Sequence, residues 1–374
     1  MGFNRRFVEA REKLAKESSA KTGFWEDIMP RINQGVVIPV ISNSFRIEQI
    51  FREDKETPGE IAEKIETADD SLAIDEQLTR EWANWIEYPM YDKHNLARVA
   101  QYYLVEQKDN PQARTKYLEF LKSFLLTIAS EDQEYAEIAS KFKSQIQEQR
   151  FSEISHQLDY PRFPQGMEDP LRILARFPLP IYITTSQSDF LERALEVEGK
   201  RPRTQICFWS GIISSATADH RTDPDFIPTI TNPLVYHLYG LEDYPQTLVL
   251  SEDDYINFLI SMVEDTNTLN PLVPLNLRRA LGESHLILLG YRLSDWDFRV
   301  LFRFILKFRR DEFSPRGMVI QLRHNDKNML NIEKSLEYLG HYFDRRKFDI
   351  EWNNAENFIL RLWNEWNIYR RSQS

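Results

Sequence analysis

Val36-Val37-Ile38-Pro39-Val40-Ile41-Ser42-Asn43-Ser44 is the stretch on which the fold turns. Its first six residues are uniformly apolar and rich in β-branched side chains. Such a run suits a strand buried on both faces, as in a parallel sheet. Ser42, Asn43 and Ser44 are good N-cap residues, and a helical pattern starts at Phe45. The stretch therefore reads as strand, tight turn and helix. Residues 6–33 before it read as a helical lead-in.

The same alternation returns downstream. Apolar runs at Leu179–Thr185, Thr204–Trp209, Leu234–Leu238, Ser284–Gly290, Gly317–Leu322 and Phe348–Trp352 read as strands. Helical patterns separate most of them: Phe190–Glu198, Glu252–Val263, Leu275–Leu281, Ser294–Phe308, a stretch ending near Phe343, and Ala355–Ile368. Seven apolar strands spaced by helices predict an α/β fold, a doubly wound and mainly parallel Rossmann-like sheet. Residues 58–159 differ. Helical patterns cover Gly59–Glu66, Asp75–Glu87, Leu96–Glu106, Ala113–Ala129 and Asp132–Gln149, with no convincing strand among them. The expected organisation is thus one domain over 1–57 and 160–374 carrying a helical insertion over 58–159. Residues 210–232 read as a long loop of the kind that covers a site.

Composition narrows the function classes. The chain has 374 residues, 42% hydrophobic and 28% charged, with 47 Lys plus Arg against 58 Asp plus Glu. The formal net charge of −11 repels phosphate backbones over most of the surface, so nucleic acid is not an expected partner. The cluster Lys307-Phe308-Arg309-Arg310 sits at a predicted helix C-terminus, where cations are favoured anyway. A single cysteine, Cys207, excludes an internal disulfide framework and a Cys-rich zinc site. It lies in an apolar run and reads as an inert buried thiol. No stretch approaches the ~20 apolar residues of a membrane helix. The start shows no apolar signal core, and a cytoplasmic setting is expected.

Ligands of doubly wound sheets sit beyond the carboxyl ends of the strands. The turns to inspect are Ser42–Ser44, Thr184–Asp189, His237–Gly240 and Gly290–Asp297. These turns carry a resemblance. Pro180-Ile181-Tyr182-Ile183-Thr184-Thr185-Ser186 resembles the strand and Thr-Thr-Asn turn of the prokaryotic sirtuin-like family. Val235-Tyr236-His237-Leu238-Tyr239-Gly240 resembles its Val-x-His-Leu-His-Gly segment. Leu248-Val249-Leu250-Ser251-Glu252-Asp253-Asp254-Tyr255 is similar to its Leu-x-Leu-Thr-Glu-Asp-Asp-Tyr run. Leu288-Leu289-Gly290-Tyr291-Arg292-Leu293-Ser294-Asp295 resembles its Leu-Gly-Tyr-Ser-Leu-Ser-Asp turn. The similarity is dense over 178–305 and looser over 34–51.

Members of that family include NAD-consuming effectors of antiphage defence, of the Thoeris-effector type. The resemblance implies an NAD pocket and cleavage of the nicotinamide–ribose bond. Carried over, the nucleotide-binding positions are Ser42, Asn43, Ser44, Thr184, Thr185, Gly240, Gly290, Ser294 and Asp295. The catalytic positions are Ser186, where the family has Asn, and Tyr239, where it has the His base. The family's Gly-Ala-Gly loop is replaced by Ser42-Asn43-Ser44. Tyrosine, with a pKa near ~10, is a poor base at neutral pH. His237 is the remaining candidate base, on the argument that residues i and i+2 of a strand share a face. The alternative for His237 is a satisfied strand histidine. NAD is the implied ligand or substrate and no metal is expected. The four cysteines of a zinc-module deacetylase are missing. By the resemblance, a homo-oligomer or a protein partner holds such effectors silent. Two readings follow: an NAD-binding glycohydrolase, or a catalytically degenerate scaffold or partner-binding subunit. The acidic triplet Glu252, Asp253 and Asp254 reads as a helix N-terminus capped by Ser251.

Overall fold

The computed structural model describes residues 23–52, 72–108, 110–210, 226–265, 272–293, 295–309, 314–321, 332–351 and 354–373. The expected helix over Gly59–Glu66 and the site position Ser294 lie outside them, as does most of the predicted loop over 210–232.

Seven strands form one sheet in the order β3-β4-β2-β1-β5-β6-β7, and every neighbouring pair is parallel. They are β1 (Val37–Ile41), β2 (Ile181–Thr184), β3 (Arg203–Ile206), β4 (Leu234–His237), β5 (His285–Tyr291), β6 (Gly317–Gln321) and β7 (Phe348–Glu351). Each falls within or one residue beyond an apolar run read from the sequence. Helices flank the sheet, so the fold is a doubly wound, Rossmann-like α/β arrangement. All residues of β1, β4 and β5 are buried, which is why these strands are apolar without alternation. Each fully buried Leu, Ile, Val or Phe contributes about 1.5–3 kcal/mol.

Pro39 stands inside the central strand, where a missing N–H would ordinarily cost a ladder bond. The register removes the conflict. His285 N–H donates to the Val36 carbonyl and Ser42 N–H to that of Leu289, so the even residues of β1 bond to β5. Pro39 then faces β2, and that ladder starts only at Val40 opposite Ile183.

Between β1 and β2 the described chain is helical. After α1 (Gly23–Asn33) and α2 (Asn43–Phe51) come α3 (Ile74–Trp85), α4 (Leu96–Glu106), α5 (Lys116–Ser130), α6 (Ala136–Lys143), α7 (Phe151–Gln157) and α8 (Pro170–Arg176). The expected helix over Ala113–Ala129 is a 3-10 turn at Pro111–Thr115 that runs on into α5. The one expected over Asp132–Gln149 is shorter, confined to Ala136–Lys143. Helix α8 was not expected, although Asp169-Pro170 announces it. The Asp169 carboxylate accepts the Leu171 N–H, and Pro170 takes a first-turn position that needs no donor.

Beyond β2 the remaining helices are α9 (Phe190–Val197), α10 (Glu252–Glu264), α11 (Leu275–Glu283), α12 (Trp296–Phe308), α13 (Ile332–Asp344) and α14 (Ala355–Gln373). The long closing helix buries Phe358, Ile359, Leu362 and Trp366. Among the described residues no helix is long and apolar enough to cross a membrane.

Candidate functional site

In the strand order, β1 is where the chain reverses its direction across the sheet: β2, β4 and β3 lie to one side, and β5, β6 and β7 to the other. Such a switch point leaves a crevice beyond the strand ends. A cavity of about 310 Å³ lies there. Asn43 and Ser44 reach it from the start of α2, Thr185 and Gln187 from the turn after β2, and Tyr239 from the turn after β4. Arg292, Asp295 and Asp297 line it beyond β5. The opposite wall is helical: Asp75, Glu76 and Thr79 from α3, His94–Ala97 at the entry to α4, and Tyr117 from α5. At the lower end of the ~300–1,000 Å³ usual for ligand sites, it suits part of a dinucleotide.

The turns are held by side chain to backbone bonds. Ser42 caps α2, its hydroxyl accepting the Ser44 N–H at 3.1 Å. Thr184 donates to the Ile41 carbonyl at 3.1 Å and accepts the Ser186 N–H at 2.9 Å. The Thr185 hydroxyl accepts the Asn43 N–H at 3.1 Å, and Gln187 N–H reaches Asn43 Oδ1 at 3.4 Å. The first and second turns therefore brace each other at the floor of the cleft.

Asn43, Ser44, Thr185, Tyr239 and Asp295 are brought together on the cavity wall. Other positions read from the sequence are spent elsewhere. Ser42 and Thr184 are buried in the turn bonds above. Ser186 is buried, and its hydroxyl donates to the Ser188 carbonyl at 2.9 Å. Gly240 has φ +85°, and a Cβ there would lie 2.3 Å from the Thr247 carbonyl oxygen. Gly290 has φ +78° at a register shift in β5, and a Cβ would stand 2.6 Å from that of Phe45. Both glycines answer to backbone strain and close packing.

His237 is turned away from the cavity. It is fully buried, with Nδ1 at 2.8 Å from the Ser186 carbonyl and Nε2 at 2.8 Å from Glu192 Oε1. A carbonyl and a carboxylate are both acceptors, so the imidazolium is the form that satisfies both contacts. Burial works to lower the His237 pKa, but the Glu192 charge and these hydrogen bonds leave it raised. Tyr239, at the position of the family base, spans the cleft. Its hydroxyl donates to the Asp297 carbonyl at 2.7 Å, and its ring packs edge-on against Tyr255 and Phe258. Burial, with Tyr255 alongside, raises its phenol well above the usual range. It braces the cleft and cannot act as a base near neutrality.

Four charged residues at the cleft, Arg292, Asp75, Glu48 and Asp297, stand outside the site positions read from the sequence. Arg292 donates to Asp75 Oδ1 at 2.5 Å and Oδ2 at 2.7 Å, and through Nε to Asp295 Oδ2 at 2.7 Å. Glu48, buried beneath, lies 3.7 Å from the same guanidinium. Ser44 donates to Asp75 Oδ2 at 2.7 Å, and the Glu76 N–H to Oδ1 at 2.9 Å. Burial works to raise the Asp75 pKa. The Arg292 charge and these hydrogen bonds overcome it and hold the carboxyl below the usual range. Asp297 behaves oppositely: burial and its neighbour Asp295 push it up to about 7. Its Oδ1 accepts the Phe298 N–H at 2.6 Å. Arg292 had a signal in the sequence, because it stands where the family turn has serine. Asp75 had none, lying in a helical stretch with no motif.

Among the described residues no group of three or more His, Cys, Asp or Glu side chains could hold a metal ion. The acidic triplet is a capping box: Ser251 accepts the Asp254 N–H at 3.2 Å, and Asp254 accepts the Ser251 N–H at 3.0 Å. Cys207 is buried, and burial pushes its thiol up to about 12.

A parallel doubly wound sheet with a crevice at its switch point defines a Rossmann-like protein. Residues 180–343 match the family model described as the SIR2-like domain. The match runs from just before β2 to near the end of α13 and takes in most of the stretch where the motif resemblance is dense. No curated protein matches the chain.

Proposed function

We propose that the cleft binds an NAD-type nucleotide, and that the chain cleaves it far more slowly than sirtuin-like proteins that keep the Asn and His. The observation that carries this reading is the crevice at the β1–β5 switch point, half of whose lining residues fall in the stretch that matches the SIR2-like domain. Asn43, Ser44, Thr185, Gln187 and Asp295 would meet the ligand. In this reading residues 1–57 and 160–374 form the nucleotide-binding unit, and 58–159 is the inserted helical wall. Antiphage defence in a cytoplasmic setting, with activity held in check by a homo-oligomer or protein partner, is the biological role that goes with it.

Asp297 is the cleft carboxylate that burial and Asp295 push up towards neutrality, so residual hydrolysis is assigned to it. In that step the ribose C1′–N bond breaks and its electron pair neutralises the pyridinium nitrogen. Water adds to C1′ and its proton passes to the Asp297 carboxylate. The test measures binding and chemistry separately. Calorimetry with ADP-ribose should show binding, and nicotinamide release from NAD should run about 10²–10⁴-fold below that of a sirtuin-like enzyme with an intact base. What release remains should rise with pH through about 7, and Asp297→Asn should abolish it. Absence of ADP-ribose binding by folded protein would sink the nucleotide reading.

A second reading, a degenerate scaffold, is favoured by one observation: Tyr239 is committed to a structural bond across the cleft. Under it, Ser186→Asn with Tyr239→His restores no NAD cleavage.

A further inference from the structure

Arg292 and Ser44 make a seat for a singly charged anion, and the protein fills it with its own carboxylate. Asp75 takes two hydrogen bonds from the guanidinium and one from the hydroxyl, at 2.5–2.7 Å. A bidentate fork is also how arginine holds a phosphate oxygen pair. Arg292, Asp75 and Ser44 all line the cleft beyond the strand ends. Asp75 comes from the helical wall, whereas Arg292 follows β5 and Ser44 stands in the first turn of α2 after β1.

We propose that Asp75 is an autoinhibitory contact that keeps Arg292 and Ser44 from the pyrophosphate of the nucleotide. The proposal rests on the nucleotide reading above. Each phosphate of a pyrophosphate diester carries one negative charge, as the carboxylate does. Exchange of one for the other therefore leaves the charge of the seat unchanged.

Two features make the contact releasable. Breaking a buried ion pair is usually costly because it strands a charge. Here Arg292 keeps Asp295 through Nε and Glu48 beneath it when Asp75 leaves. Moreover, Asp75 lies in the first turn of α3, while Leu78, Trp82 and Ala83 bury the body of that helix. The first turn can yield with the helix still docked.

The experiment compares the full-length native chain with Asp75→Asn by calorimetry, using ADP-ribose and, separately, inorganic pyrophosphate. Asp27→Asn, on α1 by the amino end of β5, makes the same charge change far from the cleft. Both probes should bind Asp75→Asn about tenfold more tightly, as for a competent state populated at about a tenth. Asp27→Asn should match the native chain. Adding Arg292→Gln to Asp75→Asn should remove the gain. On the native protein, hydrogen exchange over 74–77 should quicken when ADP-ribose binds. That readout stands even where the substitution impairs folding. Equal or weaker binding by folded Asp75→Asn, or unchanged exchange in ADP-ribose-bound native protein, would overturn the contact and leave the nucleotide reading intact. A gain for pyrophosphate with no binding of ADP-ribose would uphold the contact and remove the nucleotide reading. Failure of both probes to bind either protein overturns both.

Discussion

His237 and Tyr239 are two residues apart and end in different surroundings. The i, i+2 rule that would put them on one face applies only inside a strand. β4 stops at His237, and Tyr239 already belongs to the turn. The histidine therefore serves the fold, as an ion pair with Glu192 whose side chains are 0% and 7% exposed. The sign of its pH effect follows from its raised pKa. The pair's stabilisation is complete below the unfolded histidine value near ~6.5 and is lost as pH rises through the folded value. Urea unfolding should thus show a decline in stability on the alkaline side that Glu192→Gln abolishes. His237→Ala should cost about 3–5 kcal/mol by leaving Glu192 buried without its partner. A flat profile in the native protein would refute the charged pair.

At the scale of the element, α10 shows how a local sequence phrase can pass for chemistry. Glu252, Asp253 and Asp254 gather at the positive end of the helix, and Ser251 and Asp254 exchange backbone bonds across its first turn. Asp254 also receives Arg114, whose side chain comes from the 3-10 turn before α5. The cap therefore anchors the helical wall as well as the helix. Ser251→Ala should cost about 1 kcal/mol, read as a lower unfolding midpoint at unchanged denaturant slope.

Across the whole molecule, the helical wall is bound to the sheet by buried charge pairs. Lys122 on α5 meets Glu242, beyond β4, at 2.7 Å, with side chains 8% and 5% exposed. Glu242 also accepts the Phe151 N–H at 3.1 Å and the Ser188 hydroxyl at 2.6 Å, joining α7 and the turn after β2 to the same carboxylate. Within the sheet unit itself, Arg46 on α2 pairs with Asp169 ahead of α8 at 2.9 Å. Lys122→Ala should cost about 3–5 kcal/mol, because an uncompensated carboxylate stays buried. Thermal unfolding should show it as a large fall in midpoint, and a change below ~1 kcal/mol would mean that Glu242 finds water instead.

The sequence by itself determined the sheet. Seven strands, their parallel class and the turns that end them are written in uninterrupted apolar runs and in N-cap residues, signals that act over a few neighbours. It also determined the capping role of the acidic triplet and the inert burial of Cys207, for the same local reason. Only the tertiary structure decided what stands in the cleft. Asp75 meets Arg292 across 217 residues and Ser44 across 31, and no pattern in either segment foretells the meeting. Likewise, the family turn points Gly290 to a ligand and a shared strand face offers His237 as a base, whereas Phe45 and Glu192, brought close by packing, claim them for the fold. Charge pairing and close contact depend on distance in space, and strand order sets that distance after local sequence has made the strands.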